Sequence, residues 1–195
     1  PARDLVDQAR TELDGVVSVF RSLLQIAQIE SGTPKSAFVP LNLADLIGTC
    51  VELYEPSASD SGHDLSTRIA PDTPPIMGDR NLLLQLLANL IENALRHTPE
   101  GSEITLELKQ QPDGVVLSVA DTGPGIPEGE TENVLQRLYR LDRSRMTPGS
   151  GLGLNFVSVV ARLHGANLVL RDNVPGLRID ITFEPVKPVG LPNSA

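Results

Sequence analysis

The sequence has few of the residues that mark disulfide-rich, nucleic-acid-binding or membrane-spanning proteins. Its single cysteine, Cys50, lies in an apolar helical pattern, so no disulfide framework can form and a reducing compartment is expected. Tryptophan is absent and aromatic residues make up 3% of the chain, although an apolar content of 40% suits a globular protein. Sixteen basic against 25 acidic side chains give a net charge of −9, which disfavours nucleic-acid and anionic-membrane surfaces. No run of 18 apolar residues and no signal peptide occurs, so the chain as it stands is expected to be soluble.

Residues 3–31 are predicted to form one long helix with a narrow apolar seam. Apolar residues recur there in a heptad pattern, with charged residues elsewhere. The seam consists of Val6, Ala9, Leu13, Val16, Phe20, Leu23 and Ala27. A seam this narrow needs a partner helix, so we expect a homodimeric bundle; packing of the helix along the main domain is the alternative. Because the chain opens inside this helical pattern, we expect it to be part of a longer protein.

The remaining sequence predicts an α+β domain, a two-layer sandwich in which helices cover one face of a mixed, mostly antiparallel sheet. The breakers Ser31-Gly32-Thr33-Pro34 divide a helix over 1–34 from a domain over 35–187, and 188–195 are expected to be a flexible tail. The predicted elements are strands at 37–41, 64–69, 103–109, 115–120, 168–171 and 177–183, and helices at 42–53 (capped by Asn42), 79–98 (capped by Asp79) and 151–164. Turns are predicted at 57–62 and 111–114, and a loop at 71–75.

The helix over 79–98 carries two asparagines in an otherwise apolar pattern. Asn89 and Asn93 stand four residues apart, so both amides project from one face, and Arg96 and His97 follow on the next turn of that side. Buried amides cost free energy unless they find partners. They are either capping or core-network residues, or they serve a ligand, with amide oxygens facing a hard cation and Arg96 facing an anion.

A first glycine loop, Asp121-Thr-Gly-Pro-Gly-Ile-Pro127, directly follows a predicted strand. Gly123 and Gly125 permit close approach and backbone conformations that other residues forbid. Asp121 can accept from an exocyclic amine, because an ionised carboxylate is an acceptor only. A plain turn is the alternative.

A second glycine loop, Gly149-Ser-Gly-Leu-Gly-Leu154, opens a predicted helix. Alternate glycines expose amide N–H groups and the helix N-terminus adds its positive dipole end, so phosphate binding is expected. The loop is not a P-loop, and neither its glycine spacing nor the preceding Met146-Thr147-Pro148 suits a dinucleotide fingerprint. A flexible linker is the alternative.

The stretch between the two glycine loops is rich in arginine. It carries four arginines in nine residues, Arg137, Arg140, Arg143 and Arg145. Such a stretch suggests a mobile lid that reaches for anionic oxygens, whereas a solvated basic face is the alternative.

Three motifs in order, Asn-x-x-x-Asn-Ala, Asp-x-Gly-x-Gly-Ile and Gly-x-Gly-Leu-Gly-Leu, resemble the ATP-binding domain of sensor histidine kinases. That domain belongs to the ATPase superfamily of gyrase, Hsp90 and MutL. The resemblance covers about residues 37–185, and the motifs in this order are highly specific. Residues 3–31, ending in Ile-Ala-Gln-Ile-Glu-Ser-Gly, resemble the second helix of the kinases' dimerisation and phosphotransfer bundle.

The resemblance implies a set of partners and a location. ATP with Mg²⁺ would be bound, and the γ-phosphoryl group would pass to a histidine in two-component signal transduction. A response regulator would be the protein partner, and the N-terminal helix would form a homodimer. The resemblance implies a cytoplasmic location, with any membrane attachment, as in an inner-membrane sensor, supplied by parts of the full-length protein outside this sequence. No nucleic-acid partner is expected.

The resemblance also implies residue roles. Asn93 would be the main Mg²⁺ ligand and Asn89 the second, and Arg96 would contact phosphate. His97 takes a place often held by tyrosine beside the adenine, and Asp121 would read the adenine amino group. The remaining pocket residues are Gly123, Gly125, Ile126, Gly149, Ser150, Gly151, Leu152, Gly153 and Leu154.

The expected catalytic set joins Asn89 and Arg96 to two lid arginines, Arg140 and Arg145, near the γ-phosphate. Gyrase-like relatives carry a glutamate at the position of Asn89, where it activates water. Because asparagine cannot take a proton, attack by water is disfavoured and transfer to a protein acceptor is favoured.

The sequence departs from the kinase pattern in the lid and in the bundle. Leu135 and Leu138 stand where the family's lid usually carries phenylalanine, which concerns lid docking rather than ATP binding. The first bundle helix, with its phosphoacceptor histidine, is missing. His97 falls in the pocket, His164 closes a helix, and His63 lies in a turn, so none of the three is expected to accept the phosphoryl group.

We therefore predict the catalytic part of a sensor histidine kinase that acts on a histidine outside this chain. An ATP-binding regulatory module without transfer activity is the alternative, and an ATP hydrolase of the gyrase type is disfavoured by Asn89.

Overall fold

The computed structural model describes residues 2–32, 37–127, 129–141 and 151–186. The elements are α1 (Ala2–Glu30), β1 (Val39–Leu41), α2 (Leu43–Asp60), β2 (Asp64–Ile69), β3 (Ile76–Gly78), α3 (Arg80–His97), β4 (Glu103–Gln111), β5 (Gly114–Asp121), α4 (Gly153–Leu163), β6 (Asn167–Asp172) and β7 (Leu177–Phe183). A short 3₁₀ turn, Asn133–Leu135, precedes α4. In this described part, no helix is both long and apolar enough to cross a membrane. The predicted tail over 188–195 lies outside it.

A five-stranded sheet in the order β2-β4-β5-β7-β6 forms one layer. β2 runs parallel to β4, and the other neighbours are antiparallel. β4 and β5 form the hairpin predicted from its Pro-Asp-Gly turn, with Gln111 opposite Gly114. β1 and β3 make a separate antiparallel pair. The prediction of a mixed, mostly antiparallel sheet in an α+β fold is confirmed.

Helices α2, α3 and α4 cover one face of this sheet, which places the core between the two layers. Alternate residues of β4, such as Ile104 and Leu106, are fully buried there. α3 is buried along most of its surface through Leu82, Leu83, Leu86, Leu87, Leu90, Ile91 and Ala94. Each such leucine contributes about 1.5–3 kcal/mol by leaving water, so α3 is a rigid support for the polar residues on its remaining face.

The opposite face of the sheet is polar. Ser118 donates a hydrogen bond of 2.6 Å to Asp180, and Arg178 donates to Asp180 at 2.8 Å and also pairs with Glu107. A face satisfied by such ion pairs needs no covering layer, which explains why the helices lie on one side only.

Both predicted helix caps are present. Asn42 accepts from the N–H of Ala44 at 2.9 Å, and Asp79 accepts from the N–H groups of Asn81 and Leu82 at 2.9 and 3.1 Å. Each cap contributes about 1 kcal/mol by satisfying N–H groups that have no partner inside the helix.

The end of α2 differs from the sequence-based prediction, and one short strand was not predicted. α2 continues to Asp60 instead of ending near Leu53, so most of the predicted turn at 57–62 is helical. Pro56 lies inside the helix and costs about 3 kcal/mol there. Ala58 is fully buried in that last turn, and its burial offsets part of the cost. β3 was missed because three residues are too few to show an alternating pattern.

The C-terminal part of α1 packs onto the domain. Ile26 and Ile29 are buried in the core, and the side chains of Gln25 and Gln85 exchange two hydrogen bonds of 2.6 and 3.0 Å. Glu30 ends the helix.

Most of the heptad seam of α1 lies N-terminal to these turns. Leu13, Val16 and Phe20 are 62%, 65% and 61% exposed, whereas Leu23 is partly buried against the core. The side chains of Val6 and Ala9 lie outside the described residues. The helix therefore packs on its own domain through its last turns, mainly with residues outside the seam. It leaves the middle of its seam uncovered, as a bundle requires.

Candidate nucleotide site

The asparagines of α3 lie where this helix meets the start of α4. Both Asn89 and Asn93 are partly buried. The amide nitrogen of Asn89 donates to the carbonyl of Gln85 at 2.8 Å, which directs its oxygen away from the helix axis. A Cβ atom on Gly153 would stand 3.1 Å from that oxygen. The asparagine motif and the second glycine loop are therefore neighbours in the fold. Their positions in the sequence did not predict this contact.

Asp121 lies at the end of β5 and is 8% exposed. Its Oδ1 atom accepts from the N–H groups of Gly123 and Leu177 at 2.9 and 3.2 Å. Burial raises the pKa of this carboxyl, and the two backbone hydrogen bonds offset part of the shift. Because both bonds end on Oδ1, the second oxygen retains its capacity to accept from a ligand.

The first glycine loop is enclosed between the end of α3 and the turn joining β6 to β7. A Cβ atom on Gly123 would stand 2.4 Å from the methyl group of Thr98, and one on Gly125 would stand 2.8 Å from the carbonyl of Gly176. On the turn side, Asn173 donates to the carbonyl of Asp121 at 2.8 Å. Ile126, the last predicted pocket residue of this loop, packs against the core.

The second glycine loop leads directly into α4. Gly151 has a φ of +67°, which favours glycine, and its carbonyl accepts from the N–H of Leu138 at 3.1 Å. Leu152 is the N-cap, and a leucine side chain has no acceptor for the amides of the first turn. Leu154 is partly buried against the core. A helix that starts this way suits an anionic ligand at its N-terminus. Gly149 and Ser150 lie outside the described residues.

The lid is described only in its first part. Arg140 lies beside the second glycine loop, since a Cβ atom on Gly151 would stand 2.9 Å from its Cγ. Arg143 and Arg145 lie outside the described residues. Arg137 is directed elsewhere: it forms an ion pair with Glu30 of α1. In this arrangement Arg137 is therefore engaged by a carboxylate of the chain itself.

The same part of the lid is held by α4 and by its own side chains. Asn155 donates to the carbonyl of Leu135 at 2.9 Å, and Tyr139 donates to Glu130 at 2.5 Å. Leu138 is 57% exposed and adopts a φ of +61°. The two leucines that replace the usual phenylalanines thus lie in different surroundings, with Leu135 tied to α4 by its backbone and Leu138 facing solvent.

Two histidines have structural roles. His164 stacks on Phe38 with ring centroids 4.6 Å apart, and its Nε2 accepts from the N–H of Asp79 at 3.1 Å. His63 is buried between Ser61 and Thr98. Both positions agree with the expectation that neither histidine accepts a phosphoryl group.

Three residues around the site were not expected from the sequence. Thr98 directly follows the predicted pocket residue His97, so its position gave a weak signal. Asn173 lies in the turn Asp-Asn-Val-Pro-Gly, whose composition indicates a loop but not its contact with Asp121. Glu30 pairs with a residue 107 positions away, for which no local pattern exists.

Comparison with known proteins agrees with this geometry. The sequence profile of the family described as histidine kinase-, DNA gyrase B-, and HSP90-like ATPase matches residues 78–187, more than half of the chain. The chain belongs to this ATPase family. Among its relatives, the adaptive-response sensory kinase SasA of Crocosphaera subtropica is 32% identical over 173 residues, covering 88% of this chain and 45% of that kinase. The chain thus spans less than half of that relative.

Solved structures are similar over most of the fold. The mycobacterial sensor histidine kinase MprB is 28% identical, with a TM-score of 0.64 over 76% of this chain and 99% of that one. Full-length ShkA in complex with AMPPNP reaches a TM-score of 0.80 over 95% of this chain and 40% of that one. At 24% identity, ShkA supports the fold alone.

Proposed function

We propose that this chain is the catalytic part of a sensor histidine kinase, which binds Mg-ATP and transfers the γ-phosphoryl group to a histidine outside this chain. The contact between α3 and α4 carries the proposal. The amide oxygen of Asn89 lies 3.1 Å from the Cβ position of Gly153, at the helix N-terminus that suits a triphosphate. An amide cannot take a proton from water, so this position favours transfer to a protein acceptor over hydrolysis.

Adenine recognition is assigned to Asp121. Its second carboxylate oxygen would accept from the exocyclic amine of adenine, and Gly123 and Gly125 would form the wall beside the ring. His97, exposed at the end of α3, would lie beside the adenine. The triphosphate would lie against Gly149, Ser150, Gly151, Leu152, Gly153 and Leu154, with Arg96 contacting a phosphate.

The residues present fit Mg²⁺. Asn89 and Asn93 offer amide oxygens, the hard ligands that this cation accepts, from one face of α3. The hydrogen bond from the Asn89 nitrogen to Gln85 leaves the oxygen as the end that points toward α4. When bound, Mg²⁺ would neutralise charge on the phosphate oxygens.

Transfer would depend on positioning and on charge. A histidine nitrogen of the acceptor would attack the γ-phosphorus in line, the bond to the bridging oxygen would break, and ADP would leave. Arg140 and Arg145 would stabilise the charge on the moving phosphoryl group. A response regulator would then receive it, and α1 would bring two copies together. Attachment to a membrane would come only from other parts of the full-length protein.

The proposed pocket predicts a preference for adenine. Asp121→Asn should lower the affinity for ATP by about 10- to 100-fold, because it removes a charge-assisted hydrogen bond and places a donor against a donor. The measurement is calorimetric titration with ATP and with GTP, whose ring presents an oxygen at that position. Equal affinities for the two nucleotides in the unaltered chain would contradict the assignment.

The variant Asn93→Ala tests whether Asn93 is a metal ligand or only a residue that supports the fold. It should reduce the affinity for Mg-ATP more than the affinity for metal-free adenosine. Equal losses would mean that Asn93 only supports the fold.

Phosphoryl transfer is tested with γ-labelled ATP followed by an acid-lability test. The chain alone should stay unlabelled, and a longer chain that includes the upstream helix should acquire acid-labile, alkali-stable label. Label on the chain alone that is lost in His63→Gln would overturn the assignment of an external acceptor. An unlabelled longer chain would favour a regulatory module without transfer activity.

A further inference from the structure

We propose that His63 is a positioning residue for adenine recognition, which acts through Thr98 on the first glycine loop. The inference rests on the adenine role proposed for Asp121. His63 lies in the turn between α2 and β2, is 9% exposed, and belongs to none of the three motifs.

The side chain of His63 donates to Thr98. Its Nε2 atom lies 2.9 Å from the hydroxyl oxygen of Thr98 and 3.4 Å from the carbonyl of the same residue. The hydroxyl proton of Thr98 is directed to the carbonyl of Ala94 at 2.8 Å. The hydroxyl oxygen is therefore the acceptor, and the Nε2–H group of His63 is the donor.

The methyl group of Thr98 forms the contact with the first glycine loop. With its hydroxyl held between His63 and Ala94, the methyl group occupies one staggered position. That methyl group fills the space that a side chain on Gly123 would need, 2.4 Å from the Cβ position. The same Cβ position lies 3.0 Å from Oδ1 of Asp121. His63 is therefore one of two groups that hold the threonine rotamer, and this rotamer sets how closely the loop and its carboxylate approach the end of α3.

The backbone around His63 is held independently of its ring. Gly101 donates to the carbonyl of Gly62 at 2.8 Å, and Asp64 donates to the carbonyl of Ser102 at 3.1 Å. These bonds join the α2–β2 turn to the α3–β4 turn without the histidine. A variant at His63 should therefore fold while the position of Thr98 relaxes.

The decisive measurement is the ratio of ATP to GTP affinity. In His63→Leu the ratio should fall about fivefold or more, because the altered loop misplaces the group that distinguishes adenine from guanine. His63→Gln, whose amide can still donate, should recover part of the ratio. A merely structural loss would weaken both nucleotides equally, so an unchanged ratio in His63→Leu would overturn the proposal. Thermal unfolding of each variant shows that it is folded.

Thr98→Val tests the route, since it removes the hydroxyl and keeps a methyl group. If His63 acts through Thr98, the double variant His63→Leu/Thr98→Val should lose no more of the ratio than the larger single loss. Additive losses would contradict this route. The matched control is Ser102→Ala, which removes a 2.7 Å hydrogen bond to the carbonyl of Pro99 in the neighbouring turn and should leave the ratio unchanged.

Asp121→Asn, measured in parallel, separates the inference from the proposed function. If Asp121→Asn leaves the ratio unchanged, the adenine site is wrong and the inference fails with it. If Asp121→Asn lowers the ratio and His63→Leu does not, only the role of His63 is overturned.

Discussion

The carboxyl group of Asp121 is held in surroundings that oppose its charge. Burial raises its pKa above the usual value, and the hydrogen bonds from Gly123 and Leu177 offset only part of that shift. An acid whose pKa is raised in the folded state destabilises that state wherever it is ionised. The penalty is therefore present at neutral pH and disappears as the pH falls below the unfolded pKa of about 4.

We expect Asp121→Asn to stabilise the nucleotide-free chain while it weakens ATP binding. The amide oxygen can still accept from both backbone N–H groups, and the buried charge is gone. Thermal unfolding at pH 7 should show a higher midpoint for the variant, with a difference that shrinks toward pH 4. A variant that is less stable than the parent chain at neutral pH would show that the charge itself supports the loop.

Among the elements, α1 is joined to the lid and to α4 by ion pairs of Glu30, a residue outside the three motifs. Glu30 pairs with Arg137 of the lid and, at 3.4 Å, with Arg162 of α4. The hydrogen bond from Arg137 is the main cause of a lowered pKa at Glu30. A lowered acid pKa means that this contact stabilises the docked helix above the usual pKa of about 4.3, and the contribution is lost as the pH falls through the lowered value.

We expect Arg137→Glu to loosen the C-terminal turns of α1, because it places like charges at the contact. Hydrogen exchange of the amides near Ile26 and Ile29 should become faster, and the charge exchange Glu30→Arg/Arg137→Glu should restore slow exchange. The control Arg68→Glu makes the same change of net charge at an exposed position on the edge strand β2. Equal acceleration in this control would mean that net charge, and not the contact, controls the docking.

For the whole molecule, we expect the uncovered seam of α1 to determine self-association. Phe20 is 61% exposed, with Leu13 and Val16 equally open on the same seam. Weak dimerisation is expected, because an apolar seam of this kind is stable only against a partner. Light scattering at increasing concentration should show a dimer that Phe20→Glu abolishes.

The control for this prediction is Leu53→Glu, at an apolar residue of α2 that is 70% exposed and lies outside the seam. It should leave association unchanged. A chain that remains monomeric at high concentration, with or without Phe20→Glu, would show that the seam has no partner in this chain.

The sequence alone determined the features that depend on neighbouring residues. The caps at Asn42 and Asp79, the buried face of α3 and the β4–β5 hairpin follow from periodicity and turn chemistry, which act over a few residues. The three motifs were recognisable for the same reason, because each is a short run of neighbouring residues that can be read without knowledge of the fold.

Only the tertiary structure decided which distant residues meet. The extension of α2 through Pro56 depends on the burial of Ala58, and packing overrode the local preference there. The pairing of His63 with Thr98 and of Glu30 with Arg137 joins residues 35 and 107 positions apart. No local pattern encodes such contacts, because they form only when separately predicted elements pack around one core.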